Sequence, residues 1–192
     1  MKIYILFICM GILLVFSFFM LSGFSSNSSY IEVGSKAPLF ELFDQDGKLF
    51  SLKNYEGKKV VIYFFPKAFT PGWTKQACGF RDQYSVFKEN EIEIIGISYD
   101  VREKQKSFSE KYKLNFRILS DSKKEVSKLY GVDTYFFPKR VTFLIDENGI
   151  VFDVIDNISL SDYAESVIEI FKKESTNGNV LGVLVQFGGQ TP

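Results

Sequence analysis

Residues 63–82 read YFFPKAFTPGWTKQACGFRD, and this stretch is predicted to join a buried strand to a helix. The aromatic run ends at Pro66, which cannot donate to a strand ladder. Thr70 followed by Pro71 is typical of a helix start, with a capping side chain and then a first-turn proline. Position 73 is therefore predicted to lie in the first helical turn, where unbonded backbone N–H groups and the helix dipole favour a negative charge.

Apolar runs elsewhere in the chain predict a central sheet flanked by helices. Three nearly continuous runs are typical of strands buried on both faces: Lys59–Phe65, Ile92–Ser98 and Arg140–Asp146. A further strand and a hairpin are predicted at Ile150–Ile155 and at Phe40–Phe43 with Lys48–Leu52. Helical patterns span residues 77–87, Arg102–Tyr112, Ser122–Tyr130 and, after a capping Ser159, Leu160–Lys173. This order predicts a thioredoxin-like α/β sandwich.

The N-terminal segment, residues 1–24, is predicted to direct the chain to a membrane. Ile3–Phe24 holds twenty-two residues without a charge, which suits a spanning helix better than the shorter core of a signal peptide. A retained anchor and a cleaved signal peptide both remain open, because small residues follow the apolar run. Lys2 is the one cation before Lys36. It favours an N-terminus inside and a domain that is exported or anchored on the extracytoplasmic side.

The rest of the chain is predicted to form one domain at residues 31–174, after a polar linker at 25–30. Residues 175–192 are predicted to be an unrelated, disordered tail. The end of this tail resembles a short segment of the carbamoyl-phosphate synthetase large chain. A segment this short carries none of that enzyme's chemistry, so we assign no function to it.

Composition excludes several classes of chemistry. The 192 residues include no His and two Cys, so an imidazole base, a haem histidine and a four-ligand zinc site are excluded. With 23 basic and 23 acidic residues, nothing favours a nucleic-acid partner. Cys9 lies in the apolar segment, which leaves Cys78 as the thiol of the domain. A single Cys in an exported domain is either buried and inert or reactive with a partner molecule.

Two motifs resemble those of a known family. Thr70–Thr74, with Pro66 before it and Cys78 after it, is similar to the active-site segment of the peroxiredoxins, most closely of the bacterioferritin-comigratory or peroxiredoxin Q branch. Arg140, ahead of a Thr-Phe-Leu-Ile-Asp strand and an Asn-Gly turn, resembles the family's second motif. The resemblance covers residues 31–171, nearly the whole domain. It implies thioredoxin-dependent reduction of hydrogen peroxide and organic hydroperoxides, with no metal and no cofactor.

The resemblance also implies a role for each matching residue. Trp73 occupies the position of the peroxidatic cysteine, and Cys78 occupies that of the resolving cysteine. Thr70 would hold the attacking sulfur and the peroxide oxygen, Arg140 would stabilise the thiolate and the leaving oxygen, and Pro66 would shield the sulfur. The expected partners are a hydroperoxide substrate and a thioredoxin-like reductant.

Each of these residues also has a purely structural explanation. Thr70 is an ordinary helix cap, Arg140 an ordinary strand-end cation and Pro66 an ordinary strand terminator when each is taken alone. Their joint occurrence at the family's spacing favours the functional interpretation. Membrane-tethered disulfide reductases with this fold carry a Cys-x-x-Cys pair at the helix start, and this chain has none.

Trp73 leaves three alternatives open: a recoded selenocysteine, a substituted cysteine, or a true loss of the nucleophile. In the last case the protein would be a non-catalytic thioredoxin-fold binding or scaffold protein at the membrane. Cys78 does not replace the missing nucleophile, because five helical residues place it roughly 140° around and about 7.5 Å along the axis from Trp73. With Trp73 the family mechanism lacks its first step.

Overall fold

The computed structural model describes residues 30–156 and 162–177 as strands, α-helices and one 3-10 turn. The strands are β1 (Glu41–Phe43), β2 (Leu49–Ser51), β3 (Lys59–Phe64), β4 (Ile92–Ser98), β5 (Arg117–Ser120), β6 (Val141–Ile145) and β7 (Val151–Ile155). The helices are α1 (Pro71–Asp82), α2 (Tyr84–Glu89), α3 (Arg102–Tyr112), α4 (Glu125–Leu129) and α5 (Tyr163–Asn177), and the 3-10 turn is Leu52–Tyr55.

Five strands form the central sheet, in the order β5-β4-β3-β6-β7. Strands β3, β4 and β5 run parallel to one another, as their helical crossovers require, whereas β6 and β7 run antiparallel to their neighbours. The hairpin β1-β2 forms a separate two-stranded sheet. A mixed sheet with β3 at its centre places the end of β3 in the middle of the domain, directly before α1.

Alternating side chains of β3 divide the core into two layers. Val61 and Tyr63 face a cluster formed with α1, α2, α3 and α5, and Ile62 and Phe64 face a cluster formed with the hairpin and α4. All four side chains are fully buried. Because β3 is covered on both faces, it reads in the sequence as a continuous apolar run rather than as an alternating one.

A short loop connects β3 to α1, and hydrogen bonds to Asp100, which lies just before α3, hold this loop in place. The Ala68 backbone N–H donates to Asp100 Oδ2 over 2.6 Å, and Lys104 Nζ donates to Asp100 Oδ1 over 2.6 Å. Phe69 has a φ of 68°, in the left-handed region that non-glycine residues seldom adopt. This turn reverses the chain so that α1 begins at Pro71, beside the end of β3.

The predicted thioredoxin-like sandwich is confirmed, and most predicted elements are observed within one or two residues of their expected ends. Strand β5 is missing from the prediction, because it has only four residues and begins and ends with polar ones, Arg117 and Ser120. The helical pattern over 77–87 belongs to two helices that Gln83 separates. Helix α4 is shorter than predicted, since Lys124 has a left-handed φ of 62° before it.

The ends of the chain are partly outside the described residues. The final helix is observed at Tyr163–Asn177 rather than at 160–173, so it enters the predicted tail, while its proposed cap Ser159 is not described. The apolar segment Ile3–Phe24 and residues 178–192 also lie outside the described part. Among the helices of residues 30–156 and 162–177, none is both long enough and apolar enough to span a bilayer.

Candidate functional site

Trp73 lies in the first turn of α1 and is completely buried in the helix-side layer of the core. Its indole stacks on Phe65 with ring centroids 3.7 Å apart and planes 5° apart. It also stacks on Tyr63 at 4.8 Å and on Phe108 of α3 at 5.7 Å. Four aromatic rings therefore fill the space between the end of β3 and the start of α1.

Two polar atoms in this stack lack a hydrogen-bond partner. Within the residues that the structure describes, neither the Trp73 Nε1–H nor the Tyr63 hydroxyl group makes a hydrogen bond, although both are buried. A buried tryptophan usually finds an acceptor for its N–H. Leaving a buried polar group unpaired costs about 1 to 3 kcal/mol. The indole therefore fits this site by shape and apolar contact, but its N–H is not accommodated.

Arg140 meets α1 one turn after Trp73. Its Nη1 donates to Gln76 Oε1 over 3.0 Å, across 64 residues of sequence. Arg140 is half-buried, and this burial lowers the pKa of its guanidinium from the ordinary value. Gln76 itself is only 2% exposed. The structure thus brings a desolvated cation to the face of α1 that carries Trp73, since residues three apart share a helix face.

Tyr163, at the start of α5, completes this side of the site. Its hydroxyl donates to Thr142 Oγ1 of β6 over 2.6 Å. Burial raises the pKa of Tyr163, against the opposing effects of that hydrogen bond and of the Arg140 charge. The neutral phenol is therefore the form that the folded protein favours beside the guanidinium.

Thr70 and Pro66 lie on the loop that precedes α1, and both are partly exposed. Thr70 is the N-cap residue of α1, as predicted. Its hydroxyl, however, donates to the Lys67 carbonyl over 2.9 Å instead of capping the helix. The Thr70 oxygen keeps its acceptor capacity at the helix start, and the hydroxyl hydrogen is directed towards the loop.

Cys78 lies apart from the aromatic stack. It is half-buried and forms no disulfide among the described residues. It lines a cleft of about 310 Å³ together with Gln76 and Tyr163. The neighbouring Arg81 has a pKa raised above the ordinary value, first by its hydrogen bond to Asp82 and to a smaller extent by Cys78. Trp73 points into the core whereas Cys78 faces the surface, in agreement with the helical geometry expected from the sequence.

The site contains residues that sequence reasoning did not identify. Gln76 and Phe108 contact Arg140 and Trp73, and Tyr163 lies beside Arg140, yet none of these three had an expected role. Thr142, which accepts the Tyr163 hydrogen bond, belongs to the second motif but also had no expected role. Gln76 had one signal available, since it lies three residues after Trp73 on the same helix face. Tyr163 had none, because its contact with β6 depends on how α5 packs. Among the described residues, no cluster of three or more Asp, Glu or Cys is placed to hold a metal ion.

The fold and this arrangement define a thioredoxin-like domain with a strand-to-helix site facing an arginine. The sequence model of the AhpC/TSA family matches residues 33–154, and the chain belongs to this family. Chloroplastic peroxiredoxin Q from Sedum lineare is 47% identical over 136 residues, which cover 68% of this chain and 73% of that relative. A putative peroxiredoxin bcp from Coxiella burnetii is 42% identical over 146 residues, which cover 72% of this chain and 97% of that relative.

A solved structure shows the same likeness. The crystal structure of peroxidoxin BcpB from Mycobacterium tuberculosis matches with a TM-score of 0.71 at 34% identity, over 75% of this chain and 98% of that one. This chain covers 60 to 61% of the length of several other plant peroxiredoxin Q proteins. The predicted resemblance to the peroxiredoxin Q and bacterioferritin-comigratory branch is therefore confirmed.

Proposed function

We propose that this protein reduces hydrogen peroxide and organic hydroperoxides with a thioredoxin-like reductant, and that the reaction uses a selenol or thiol at position 73. Membership of the peroxiredoxin family supports the reaction. The proposal that residue 73 is a selenol or thiol rather than Trp rests on one observation, the unpaired Nε1–H of Trp73 in a fully buried site. Two features support a chalcogenolate at this position: the start of a helix, and the Arg140 guanidinium, which is bonded to Gln76 one turn further along that helix.

In the proposed reaction the chalcogenolate at position 73 attacks the nearer peroxide oxygen, and the O–O bond breaks. The electron pair leaves with the second oxygen, which takes a proton and departs as alcohol or water. The oxidised product is a sulfenic or selenenic acid. The Cys78 thiol then forms a bond to that chalcogen and its hydroxyl group leaves as water. A dithiol of the thioredoxin-like reductant cleaves the new bond, and its own two thiols become a disulfide.

Residues around position 73 have separate roles in this proposal. Arg140 stabilises the chalcogenolate and the charge that develops on the leaving oxygen, while Gln76 holds the guanidinium through its 3.0 Å hydrogen bond. The Thr70 oxygen accepts a hydrogen bond from the peroxide, and Pro66 shields the chalcogen from water. With Trp73 in place there is no nucleophile, so we expect the Trp73 chain to show no turnover.

The identity of residue 73 in the native protein is tested by mass spectrometry. Cleavage after Lys67 and Lys75 releases the peptide 68–75, which contains position 73. We expect the mass of a peptide with selenocysteine or cysteine, and the recombinant Trp73 chain provides the reference. A native peptide with Trp, together with a UGG codon in the gene, would exclude both recoding and substitution.

Activity is tested with the substitution Trp73→Cys. Consumption of hydrogen peroxide in the presence of thioredoxin, its reductase and NADPH should appear in this variant and be absent from the Trp73 chain. Adding Cys78→Ser should stop multiple turnovers and retain a single one, because the sulfenic acid then has no resolving thiol. Circular dichroism controls for folding. A folded variant whose thiol reacts no faster than free cysteine would show that the site is not catalytic.

A second candidate function is a non-catalytic binding or scaffold protein. The stacking of Trp73 on Phe65, with ring centroids 3.7 Å apart and planes 5° apart, favours this alternative. Such close packing is expected where tryptophan is the native residue. Under this alternative the native peptide carries Trp and the Trp73→Cys variant is inactive. The two experiments above therefore separate the candidates.

We also propose that the domain works on the extracytoplasmic side of a membrane, held by the apolar segment Ile3–Phe24. The twenty-two uncharged residues and the single preceding cation, Lys2, support this proposal. Protease protection of the full chain in sealed vesicles tests it. Cleavage of the domain from the cytoplasmic face would contradict it.

A further inference from the structure

The loop between α4 and β6 displays three consecutive aromatic side chains to solvent. Tyr135 is 83% exposed, Phe136 78% and Phe137 48%. Tyr135 and Phe136 are the most exposed large hydrophobic side chains of residues 30–156 and 162–177. We call residues 132–139 the aromatic loop. A contiguous exposed patch of this kind usually marks a surface that contacts a partner.

The aromatic loop is held in shape by hydrogen bonds. The Lys139 N–H donates to the Val132 carbonyl over 2.8 Å and closes the base of the loop. The Thr134 N–H donates to the Tyr99 hydroxyl over 3.3 Å, and the Thr134 hydroxyl donates to the Phe137 carbonyl. These hydrogen bonds restrict the loop backbone in the free protein. Binding a partner therefore costs less conformational entropy than it would for a loop without them.

One lysine lies beside a ring of the aromatic loop, and a second lies at the end of the loop. Lys124 Nζ donates to the Tyr135 carbonyl over 2.5 Å and lies 5.6 Å from the centroid of that ring and 5.0 Å from that of Tyr99. Lys139, at the other end of the loop, lies 5.3 Å from the Tyr30 ring centroid. Aromatic rings flanked by lysines suit the interface of a bilayer, where rings occupy the headgroup level and ammonium groups meet lipid phosphates.

The position of Tyr30 relative to the N-terminal apolar segment indicates that this partner is a bilayer. The described domain begins at Tyr30, which packs edge-on against Phe143 and lies beside Lys139. Five residues separate Tyr30 from the end of the apolar segment at Phe24. A fully extended connection of that length reaches at most about 20 Å. A bilayer that holds Ile3–Phe24 therefore lies close to the edge of the domain that carries Tyr30, Lys139 and the aromatic loop.

We infer that the aromatic loop inserts into the outer surface of the bilayer that holds the N-terminal segment, and that it fixes the orientation of the domain there. A single covalent connection at Tyr30 would leave the domain free to rotate. A second contact through Tyr135 and Phe136 removes most of that freedom. This inference rests on the proposed membrane segment and does not depend on peroxidase activity.

The test uses the full chain in vesicles of phosphatidylcholine and phosphatidylglycerol. An environment-sensitive fluorophore is attached at Phe136→Cys, after Cys9→Ser and Cys78→Ser have removed the native thiols. The matched control is the same label at Lys172→Cys, on α5, which packs against the opposite face of the sheet. We expect aqueous iodide to quench the label at position 136 about threefold less than that at 172, as suits a group at headgroup depth.

Other outcomes overturn the inference. Equal quenching at both positions shows that the aromatic loop faces water. Shielding at 136 that disappears when vesicles hold one chain each shows instead that the loop contacts a second copy of this chain. Vesicle flotation is measured in the same samples. A chain that fails to float contradicts the membrane segment itself. The labelled chain carries Trp73 and lacks Cys78, so none of these results depends on peroxide turnover.

Discussion

At the scale of single residues, Trp73 combines favourable packing with an unpaired polar atom. Its burial and stacking are worth several kcal/mol, since a fully buried large side chain contributes at least about 1.5 to 3 kcal/mol. The unpaired N–H costs about 1 to 3 kcal/mol. The packing of Trp73 therefore outweighs the cost of its unpaired N–H. Trp73 stabilises the folded state, but by less than it would if its N–H were hydrogen-bonded.

The stability of Trp73 variants follows from these two effects. Trp73→Ala should lower the free energy of unfolding by about 3 to 5 kcal/mol, because it leaves a large cavity between β3 and α3. Trp73→Phe removes the unpaired N–H together with part of the ring, so we expect a loss below about 1.5 kcal/mol. Urea denaturation followed by circular dichroism measures both. An alanine variant as stable as the parent would contradict the packing described above.

Thr70 and Arg140 should matter for catalysis in the Trp73→Cys background. Each substitution to Ala is expected to lower kcat/KM for hydrogen peroxide by a factor of about ten or more, because each removes a group that acts on the reacting oxygens. Lys75→Ala is the matched control, since Lys75 is an exposed residue of the same helix. A loss at Lys75 equal to that at Arg140 would argue against a specific role for the guanidinium.

Sequence reasoning identified Thr70, Trp73 and Arg140 because the motifs fix their spacing. It could not identify Gln76 as the partner of Arg140, since the two are 64 residues apart and meet only after α1 and β6 have packed. It also could not show that the Thr70 hydroxyl turns towards Lys67. That orientation depends on the backbone of the loop, where Phe69 has a positive φ.

At the scale of elements, long apolar strands were predictable and short or polar ones were not. Strands β3 and β4 are buried on both faces and leave a continuous apolar run in the sequence. Strand β5 has two buried residues between polar ends, a pattern that any loop can show. The break between α1 and α2 at Gln83 could not be predicted from the sequence either, because the helical spacing of apolar residues continues through it.

The contact between β3 and β4 gives a prediction at this scale. Gly96 pairs with Tyr63, and a Cβ at Gly96 would lie 2.5 Å from the Tyr63 hydroxyl oxygen and 2.7 Å from the ring carbon that bears it. Gly96→Ala should therefore displace Tyr63 from the aromatic stack and cost about 1 to 3 kcal/mol of stability.

A second substitution shows whether Tyr63 is the cause of that loss. In the double variant with Tyr63→Phe, the cost of Gly96→Ala should decrease but not vanish, since the ring carbon still lies too close. Gly79→Ala in α1 is the control, because its Cβ would meet no atom closer than 3.9 Å. It should stabilise the helix slightly. Strict additivity of Gly96→Ala and Tyr63→Phe would contradict the proposed clash.

At the scale of the whole molecule, both layers of the core contain buried tyrosines. Burial raises the pKa of Tyr63 and Tyr163 on the helix side and of Tyr130 on the hairpin side. The Tyr130 hydroxyl donates to the Pro38 carbonyl over 3.0 Å, whereas Tyr63 has no partner among the described residues. Folding therefore favours the protonated form of these phenols.

The dependence on pH follows from the direction of these shifts. An unfolded chain releases tyrosine protons near about pH 10. The folded chain holds them to a higher pH, so the folded state binds more protons than the unfolded state above that point. Stability from these groups is therefore fully present below about pH 10 and decreases as the pH rises towards the folded pKa values. The loss per tyrosine amounts to at most about 1.4 kcal/mol for each pH unit.

Tyr63→Phe provides the sharpest test, because it removes a titrating group without removing a hydrogen bond. The free energy of unfolding should decrease less steeply with pH in this variant than in the parent between about pH 10 and pH 12. Phe87→Leu in α2 is the control, since it weakens the same core layer without changing a titrating group. It should lower stability equally at every pH and leave the slope unchanged. Parallel curves for Tyr63→Phe and the parent would show that the buried phenol does not couple folding to alkaline pH.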